Sequence, residues 1–219
     1  MSTSSAGDIH RTIADYGDGG RNFAVATVLQ GEGSTPREAG AKAVVEPDGA
    51  IHGTVGGGAV EAETQRRGAD AIRTGNPSVF DFELEGHGAD ADEPICGGEM
   101  RILVDPCAAD HHTAYARAAE AAQNRERGAL VTSIRTEAVP EVDVRWVPEG
   151  GDPPDMDCGD AVRAVLDRES PELLVRDGER NEPRREILVE PLVPPPLLVI
   201  AGGGHVGQAL ALQADLVSF

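Results

Sequence analysis

Basic residues, aromatic residues and cysteines are all scarce in this chain of 219 residues. Aromatic residues make up 3% of the sequence, and its longest apolar run, 197–201, is far shorter than the roughly 18 residues of a membrane-spanning helix. The three cysteines, Cys96, Cys107 and Cys158, lack the spacing of a disulfide framework or a zinc site. The N-terminus has no basic segment followed by an apolar core, so the sequence predicts no signal peptide and a cytoplasmic protein.

Basic residues are only half as many as acidic ones. The chain has 19 basic and 38 acidic residues, a formal net charge of −19 at pH 7, and Lys42 is its only lysine. Such a surface does not attract a nucleic-acid backbone, because phosphate binding needs a basic surface. This composition favours a halophilic protein, since concentrated salt screens the repulsion between acids. An acidic protein of a mesophile is the alternative.

Short β-branched runs alternate with helical stretches along the chain, which predicts an α/β fold. The expected helices are 8–16, 60–73, 114–123 and 161–166, and the expected strands are 23–29, 41–45, one near Ile51, 79–84, 100–104, 130–134, 142–147 and 187–189. Residues 31–40 and the acidic stretches 81–93 and 149–160 are expected to be exposed loops.

A proline cluster at 191–196 predicts a linker, because proline stiffens the chain and ends both helices and strands. It separates a mixed α/β domain, residues 1–190, from the segment 197–219. That segment opens with the apolar run 197–201, which is typical of a strand buried on both faces.

Gly202, Gly204 and Gly207 match the GxGxxG fingerprint of dinucleotide-binding domains, between a predicted strand and a predicted helix. The acidic residue that would hold the ribose is expected about 20 residues later, whereas the sequence ends at Phe219. The tail therefore resembles the first βα unit of a truncated Rossmann-type domain, and no binding of NAD or FAD is expected. An unpaired apolar strand favours association, so a homo-oligomer or aggregate formed through the tail is predicted.

Two segments of the N-terminal half have the residue types of an anion site. Gly56, Gly57 and Gly58 separate a predicted strand from a predicted helix, and free amides at a helix N-terminus attract anions. A tight packing turn is the alternative. The loop with Ser34, Thr35 and Arg37 offers two hydroxyls and a guanidinium fork, unless it is simply a solvated loop.

Two single residues also stand out. Lys42 is predicted to have a specific role as the sole lysine, with a leftover residue as the alternative. Cys96 is followed by Gly97 and Gly98, whose amides can lower the pKa of a thiol, and a small buried apolar residue is the alternative. Cys107 and Cys158 have no comparable setting and are expected to be structural.

In this order, the segments resemble the XdhC/CoxI family of accessory proteins for molybdenum hydroxylases. The matching stretches are 33–37 (GSTPR), 40–42 (GAK), 53–58 (GTVGGG) with Glu61, 96–98 (CGG), and 194–196 (PPP) leading to 202–207 (GGGHVG). Any one of them is weak, but the five in sequence are specific and cover nearly the whole chain. Many family members carry a cysteine directly after the three glycines, where this chain has Ala59.

The resemblance implies a non-enzymatic chaperone that protects the molybdenum cofactor, supports its sulfuration and delivers it to a hydroxylase of the xanthine dehydrogenase or carbon monoxide dehydrogenase type. A hydroxylase subunit and a cysteine desulfurase are the implied partners. The implied cofactor-binding residues are Ser34, Thr35, Arg37, Lys42, Gly56, Gly57, Gly58, Cys96, Gly97 and Gly98, with the soft thiolate of Cys96 as the contact to molybdenum. The alternatives are a fragment of a nucleotide-dependent oxidoreductase and an inactive truncated product.

Overall fold

The computed structural model describes residues 6–84, 97–153, 156–178 and 183–216. Its helices are α1 (Ala6–Asp18), α2 (Gly58–Thr74), α3 (His112–Asn124), α4 (Met156–Arg168) and α5 (His205–Leu216), with a 3-10 turn at Ala108–His111. Its strands are β1 (Ala24–Gly33), β2 (Lys42–Val45), β3 (Ile51–Gly53), β4 (Ser78–Leu84), β5 (Gly98–Asp105), β6 (Gly128–Thr136), β7 (Glu141–Pro148), β8 (Glu172–Arg176) and β9 (Arg184–Leu192). The predicted α/β class is confirmed.

The strands in the described ranges form two antiparallel sheets. The first sheet has the order β3-β2-β1-β5-β4, and the second has the order β7-β6-β9-β8. Helix α2 packs on the first sheet and α4 on the second, while α1 and α3 pack against each other and reach strands of both sheets. The fold is thus two layered sheets with helices on their outer and lateral faces.

A shared core holds the two sheets together. Leu29 and Leu103 of the first sheet pack with Ile134 and Leu188 of the second, and all four side chains are buried. Burying an aliphatic side chain of this size stabilises the fold by about 1.5–3 kcal/mol. The sheets are therefore one folded unit through residue 192.

Helix α2 packs against the first sheet through a face that includes the small residues Gly68 and Ala71. Val60, Thr64, Gly68 and Ala71 are the buried positions of this helix. A Cβ atom on Gly68 would lie 2.7 Å from Cγ1 of Val45, so a larger residue there would push the helix away from β2. This close packing brings the N-terminus of α2 near the strand that begins with Lys42.

A bidentate ion pair also crosses between the sheets. Arg101 of β5 donates from Nε and Nη2 to the two carboxylate oxygens of Glu186 on β9, both at 2.9 Å. Glu186 is 1% exposed, so its charge depends on this partner. The two carboxylates that Arg101 contacts, Glu186 and Asp81, raise the pKa of its guanidinium.

Several element boundaries differ from those predicted. Strand β1 continues past a bulge after Val28 and ends at Gly33, because β5 supplies pairing partners along that length, so the expected loop starts later. Helix α4 begins at Met156, inside the acidic stretch expected to be a loop, since acidic residues are favourable in a first helical turn. Strand β8 was not predicted at all.

The end of the described chain differs most from expectation. Strand β9 extends to Leu192, two residues into the predicted linker, and Pro191 is tolerated because β8 pairing has ended at Val189. The predicted strand 197–201 is wrong: these residues have no pairing partner in the described structure, and Val199 is 77% exposed. Helix α5 has no buried residue. None of the described helices has both the length and the apolar character to cross a membrane.

Candidate functional site

Two predicted site segments meet where β1 and β5 end. Gly33 of β1 pairs with Gly98 of β5. A Cβ atom on Gly33 would lie 2.7 Å from the carbonyl oxygen of Gly97, and one on Gly98 would lie 2.7 Å from that of Ser34. Glycine is needed at both positions because any side chain would strike backbone. Cys96 itself lies outside the described residues, but the segment that follows it is held against the 33–37 loop.

The glycine turn before α2 touches the same loop. A Cβ atom on Gly56 would lie 2.6 Å from Cγ of Pro36, so the two segments are in direct contact. The Thr54 hydroxyl accepts a hydrogen bond from the Gly56 amide at 3.1 Å and donates one to Oε1 of Glu61 at 2.5 Å. These bonds fix the turn and bind one of the carboxylates of the first turn of α2.

Gly57 and Gly58 leave the N-terminus of α2 open. Their φ angles are +83° and +57°, and a Cβ atom on either would have no atom within 4 Å. No side chain caps the helix at Gly57. These glycines are therefore required by backbone conformation rather than by crowding, and they leave free amide donors at the positive end of the helix dipole.

Lys42 is buried and already has a partner. Its side chain is 0% exposed, and Nζ forms an ion pair with Oε1 of Glu190 on β9, in the second sheet. The carbonyl oxygen of Gly40 also accepts from Nζ, at 3.4 Å. The sole lysine thus has a specific partner, and its charge is balanced within the protein instead of being free for an external anion.

A cleft of about 370 Å³ opens beside this ion pair, between the two sheets. The polar side chains that line it are those of His10, Arg37, Lys42, Thr54, Glu169 and Glu190. Within the described residues Arg37 has no carboxylate partner and is exposed, so it is the cation of the cleft that is available to a ligand. The structure therefore brings Arg37 and Lys42 together but gives them different environments.

Two of the buried groups that line the cleft keep an unpartnered polar atom. Nδ1 of His10 and Oε2 of Glu190 have no hydrogen-bond partner within the described structure, although these residues are only 3% and 6% exposed. Burial and the nearby charge of Lys42 lower the pKa of His10 to about 3, so its ring is neutral. Burial raises the pKa of Glu190, and the ammonium of Lys42 opposes that rise.

Ser34 and Thr35 lie in the loop between β1 and β2 rather than in the cleft lining. Oγ1 of Thr35 donates to the carbonyl oxygen of Arg37 at 3.1 Å, which shapes the loop that carries this arginine. Ser34 is exposed at the rim, next to Gly98.

Four polar groups of the cleft escaped prediction, and two of them, His10 and Glu190, are buried. Glu190 follows the apolar run Ile187–Val189, and one acid within a buried strand is a signal that sequence reading can detect. His10 precedes the buried Ile13 by one helical turn, which places it on the apolar face of α1. Neither residue is near a glycine-rich segment in the sequence, so a search for motifs does not find either of them.

The GxGxxG glycines lie apart from these segments in the fold. Gly202 and Gly204 lie in the exposed turn before α5, where the amide of Gln208 donates to the carbonyl oxygen of Gly204 at 3.0 Å, and Gly207 is a half-buried residue in the first turn of α5. None of them lines the cleft. Among the residues with described side chains, no cluster of three histidine, cysteine or acidic residues suits a metal ion.

Comparisons with known proteins identify a related family and a similar fold. Residues 18–83 match the XdhC and CoxI family. Uncharacterized protein YqeB of Escherichia coli K12 is 38% identical over 82 residues, which are 37% of this chain and 15% of that protein. A crystal structure of a xanthine dehydrogenase from Bacillus halodurans superposes with a TM-score of 0.62 at 17% identity, over 98% of this chain and 60% of that chain. The chain spans less than two thirds of either relative, and the structural likeness establishes the fold alone.

Proposed function

Because the chain belongs, over residues 18–83, to the XdhC and CoxI family, we propose that it is an accessory protein that binds the molybdenum cofactor. It would protect the cofactor, support its sulfuration and deliver it to a hydroxylase of the xanthine dehydrogenase or carbon monoxide dehydrogenase type, without being an enzyme itself. The observation that carries this proposal is the convergence of three separate glycine-rich segments on one face, next to a cleft whose Arg37 has no carboxylate partner among the described residues.

The residues present fit the phosphate of such a cofactor. Gly57 and Gly58 leave free amides at an uncapped helix N-terminus, and Arg37, whose guanidinium has no ion-pair partner within the described ranges, lies on a loop that touches the same turn through Pro36. Arginine and helix-terminal amides are the common phosphate-binding groups of proteins. Lys42 would act indirectly, because its charge holds Glu190 in place instead of meeting the phosphate.

Cys96 would supply the soft ligand. The cofactor contributes a molybdenum centre bonded to sulfur, and a thiolate is the protein group suited to approach it. The residue pair directly after Cys96, Gly97 and Gly98, is anchored beside Gly33, where the other glycine-rich segments meet, and this anchoring supports the proposal. A cysteine desulfurase and a hydroxylase subunit are the partners that this role requires.

The anion site is tested by giving Gly57 a side chain. Gly57→Val should reduce the molybdenum content of protein loaded with the cofactor, because a valine at φ +83° distorts the amides of the turn. Gly75→Val is the matched control, since Gly75 has φ +72° and open space at the other end of the same helix. Equal losses in both variants would show that strain, and not anion binding, is responsible.

The thiol is tested with a second pair of variants. Cys96→Ser should lower cofactor retention, while Cys107→Ser should leave it unchanged, because Cys107 donates only a weak bond to the Gly75 carbonyl. Transfer to an apo-hydroxylase, followed by its recovered activity, measures delivery. Normal retention by Cys96→Ser would remove the thiol from the site.

We also propose that the chain is cytoplasmic and works in concentrated salt, as its net charge of −19 suggests. At 0.1 M salt, repulsion is screened only between acids more than about 10 Å apart. Higher salt shortens this distance, so that closer pairs of acids are screened as well. The melting temperature should therefore rise as KCl is increased to about 2 M. A flat response would exclude the halophilic assignment.

A further inference from the structure

The interior of the cleft and its rim differ in charge. In the interior, Lys42 and Glu190 neutralise each other and His10 is uncharged, so no net charge is left for a ligand. At the rim, Glu169 is paired with Arg127, whereas Arg37 is exposed and has no carboxylate partner in the described structure. A ligand that fits both regions has a neutral polar part for the interior and an anionic part for Arg37.

The unpartnered atoms of the interior define the hydrogen bonds that such a ligand must make. Oε2 of Glu190 is a carboxylate oxygen, which only accepts, and it has no donor within the described structure although Oε1 is occupied by Lys42. A buried polar atom without a partner destabilises the fold, and a ligand N–H at this position would remove that penalty. The interior therefore favours a neutral group that donates a hydrogen bond, as an N–H group does.

The remaining walls are apolar. Ile9, Pro171, Pro191 and Leu192 contribute apolar surface to the cleft. The volume of about 370 Å³ lies within the range of small-molecule sites, at its lower end. A bicyclic heterocycle is small enough for such a space.

We propose that this cleft binds a pterin ring, with Oε2 of Glu190 accepting from the amino-pyrimidinone edge and Arg37 holding an anionic substituent at the opposite end. The pterin edge presents an amino group and a ring N–H side by side, which are the donors that a carboxylate accepts. This inference rests on the proposed function and adds which part of the cofactor the second sheet recognises. Lys42 is a positioning residue that orients the Glu190 carboxylate through Oε1.

The test uses 6-carboxypterin, a fluorescent pterin with one carboxylate, titrated with the full chain. The parent should bind it, and Glu190→Gln should weaken binding at least tenfold, because an amide replaces an acceptor oxygen with a donor. Glu186→Gln is the matched control: it is an equally buried carboxylate on the same strand and is also paired across the sheets, but it does not line the cleft. The affinity of Glu186→Gln for 6-carboxypterin should remain within twofold of that of the parent.

Two further measurements do not depend on the folding of Glu190→Gln. The parent should prefer 6-carboxypterin over 6-carboxylumazine at least tenfold, because lumazine has a carbonyl oxygen where pterin has the amino group. Arg37→Gln, an exposed substitution, should lower the affinity for 6-carboxypterin severalfold but leave the affinity for unsubstituted pterin unchanged.

Failure of this inference is distinguishable from failure of the proposed function. No binding of 6-carboxypterin, equal binding of the lumazine, or an unchanged affinity in a folded Glu190→Gln protein would each overturn the pterin assignment, even if the protein retains the molybdenum cofactor. Pterin binding with the expected pattern, but no retention of the complete cofactor, would support the cleft assignment and remove the proposed function.

Discussion

The two sheets contribute to the candidate site in different ways. The first sheet and its connections carry the glycine-rich segments, at the end of β1, at the start of β5 and between β3 and α2. The second sheet carries none of these segments in its described strands, yet it supplies Glu190, the buried partner of Lys42. One sheet provides backbone and the other provides a charged side chain.

This difference shows which site features can be recognised in a sequence. Glycines at Gly33, Gly56 and Gly98 are needed because backbone or a neighbouring ring lies within 3 Å of where a Cβ would be, so the residue type itself marks the position. A single glutamate such as Glu190 carries no such mark. Its importance depends on the cation that the fold places opposite it.

The largest expected effect on stability comes from removing the buried ion pair between the two sheets, Lys42 and Glu190. Lys42→Met leaves the carboxylate of Glu190 buried without a cation, and should lower the free energy of unfolding by about 3–5 kcal/mol in urea titrations. The double variant Lys42→Met/Glu190→Leu should recover most of that loss, because no buried charge remains. A single variant within 1 kcal/mol of the parent, by the same urea titration, would show that the pair does not couple the sheets.

The second ion pair between the sheets should have a smaller effect. Arg101→Gln removes the bidentate partner of Glu186, but Nε of Arg184 remains at 3.4 Å from that carboxylate. We expect a loss of about 2 kcal/mol in the free energy of unfolding, measured in the same titrations. A loss as large as that of Lys42→Met would mean that Arg184 does not substitute for Arg101.

Lowering the pH should destabilise the protein through His10, which lies on α1 near the charge of Lys42. The pKa of His10 is 6.5 in the unfolded chain and about 3 in the fold. Between about pH 3 and pH 6.5 the unfolded chain therefore binds a proton at His10 that the folded chain does not bind. Stability is therefore lost as the pH falls below 6.5, by about 2 kcal/mol between pH 7 and pH 5. His10→Phe should abolish this part of the decline in unfolding free energy.

The control for His10 lies within the same experiment. Burial raises the pKa of Asp105 to about 6, which makes the fold more stable as the pH falls, but this contribution is the same in the parent and in His10→Phe. The difference between the two proteins therefore isolates the histidine. Parallel pH profiles would contradict the prediction.

The smallest effect on stability is expected at the rim of the cleft. Arg37→Gln replaces an exposed side chain without an ion-pair partner in the described structure, so the free energy of unfolding should change by less than about 0.5 kcal/mol. Its affinity for inorganic phosphate should nevertheless fall, as measured by calorimetry. A clear loss of stability would mean that Arg37 is a structural residue of the first sheet.

Local patterns predicted most of the elements, and they singled out two of the six polar side chains that line the cleft, Arg37 and Lys42. Strands β2, β4 and β7 and helices α2 and α3 were expected within one or two residues, because their periodicity and turn residues are local. Strand β8 was missed since its short sequence, Glu172–Arg176, has no clear alternation, and it is stabilised by pairing with β9. The predicted strand 197–201 failed for the opposite reason: an apolar run does not form a strand without a partner.

The sequence by itself determined the α/β class, the glycine turns, the acidic surface and the resemblance to a cofactor-binding family. These features depend on residue type, on spacing within about ten positions and on total composition. Only the tertiary structure decided that Lys42 is neutralised by Glu190, 148 positions away, that His10 is buried beside them, and that Arg37 is left as the available cation. The physical reason is that burial and charge pairing depend on which strands are stacked, and the stacking of two sheets leaves no trace in local sequence.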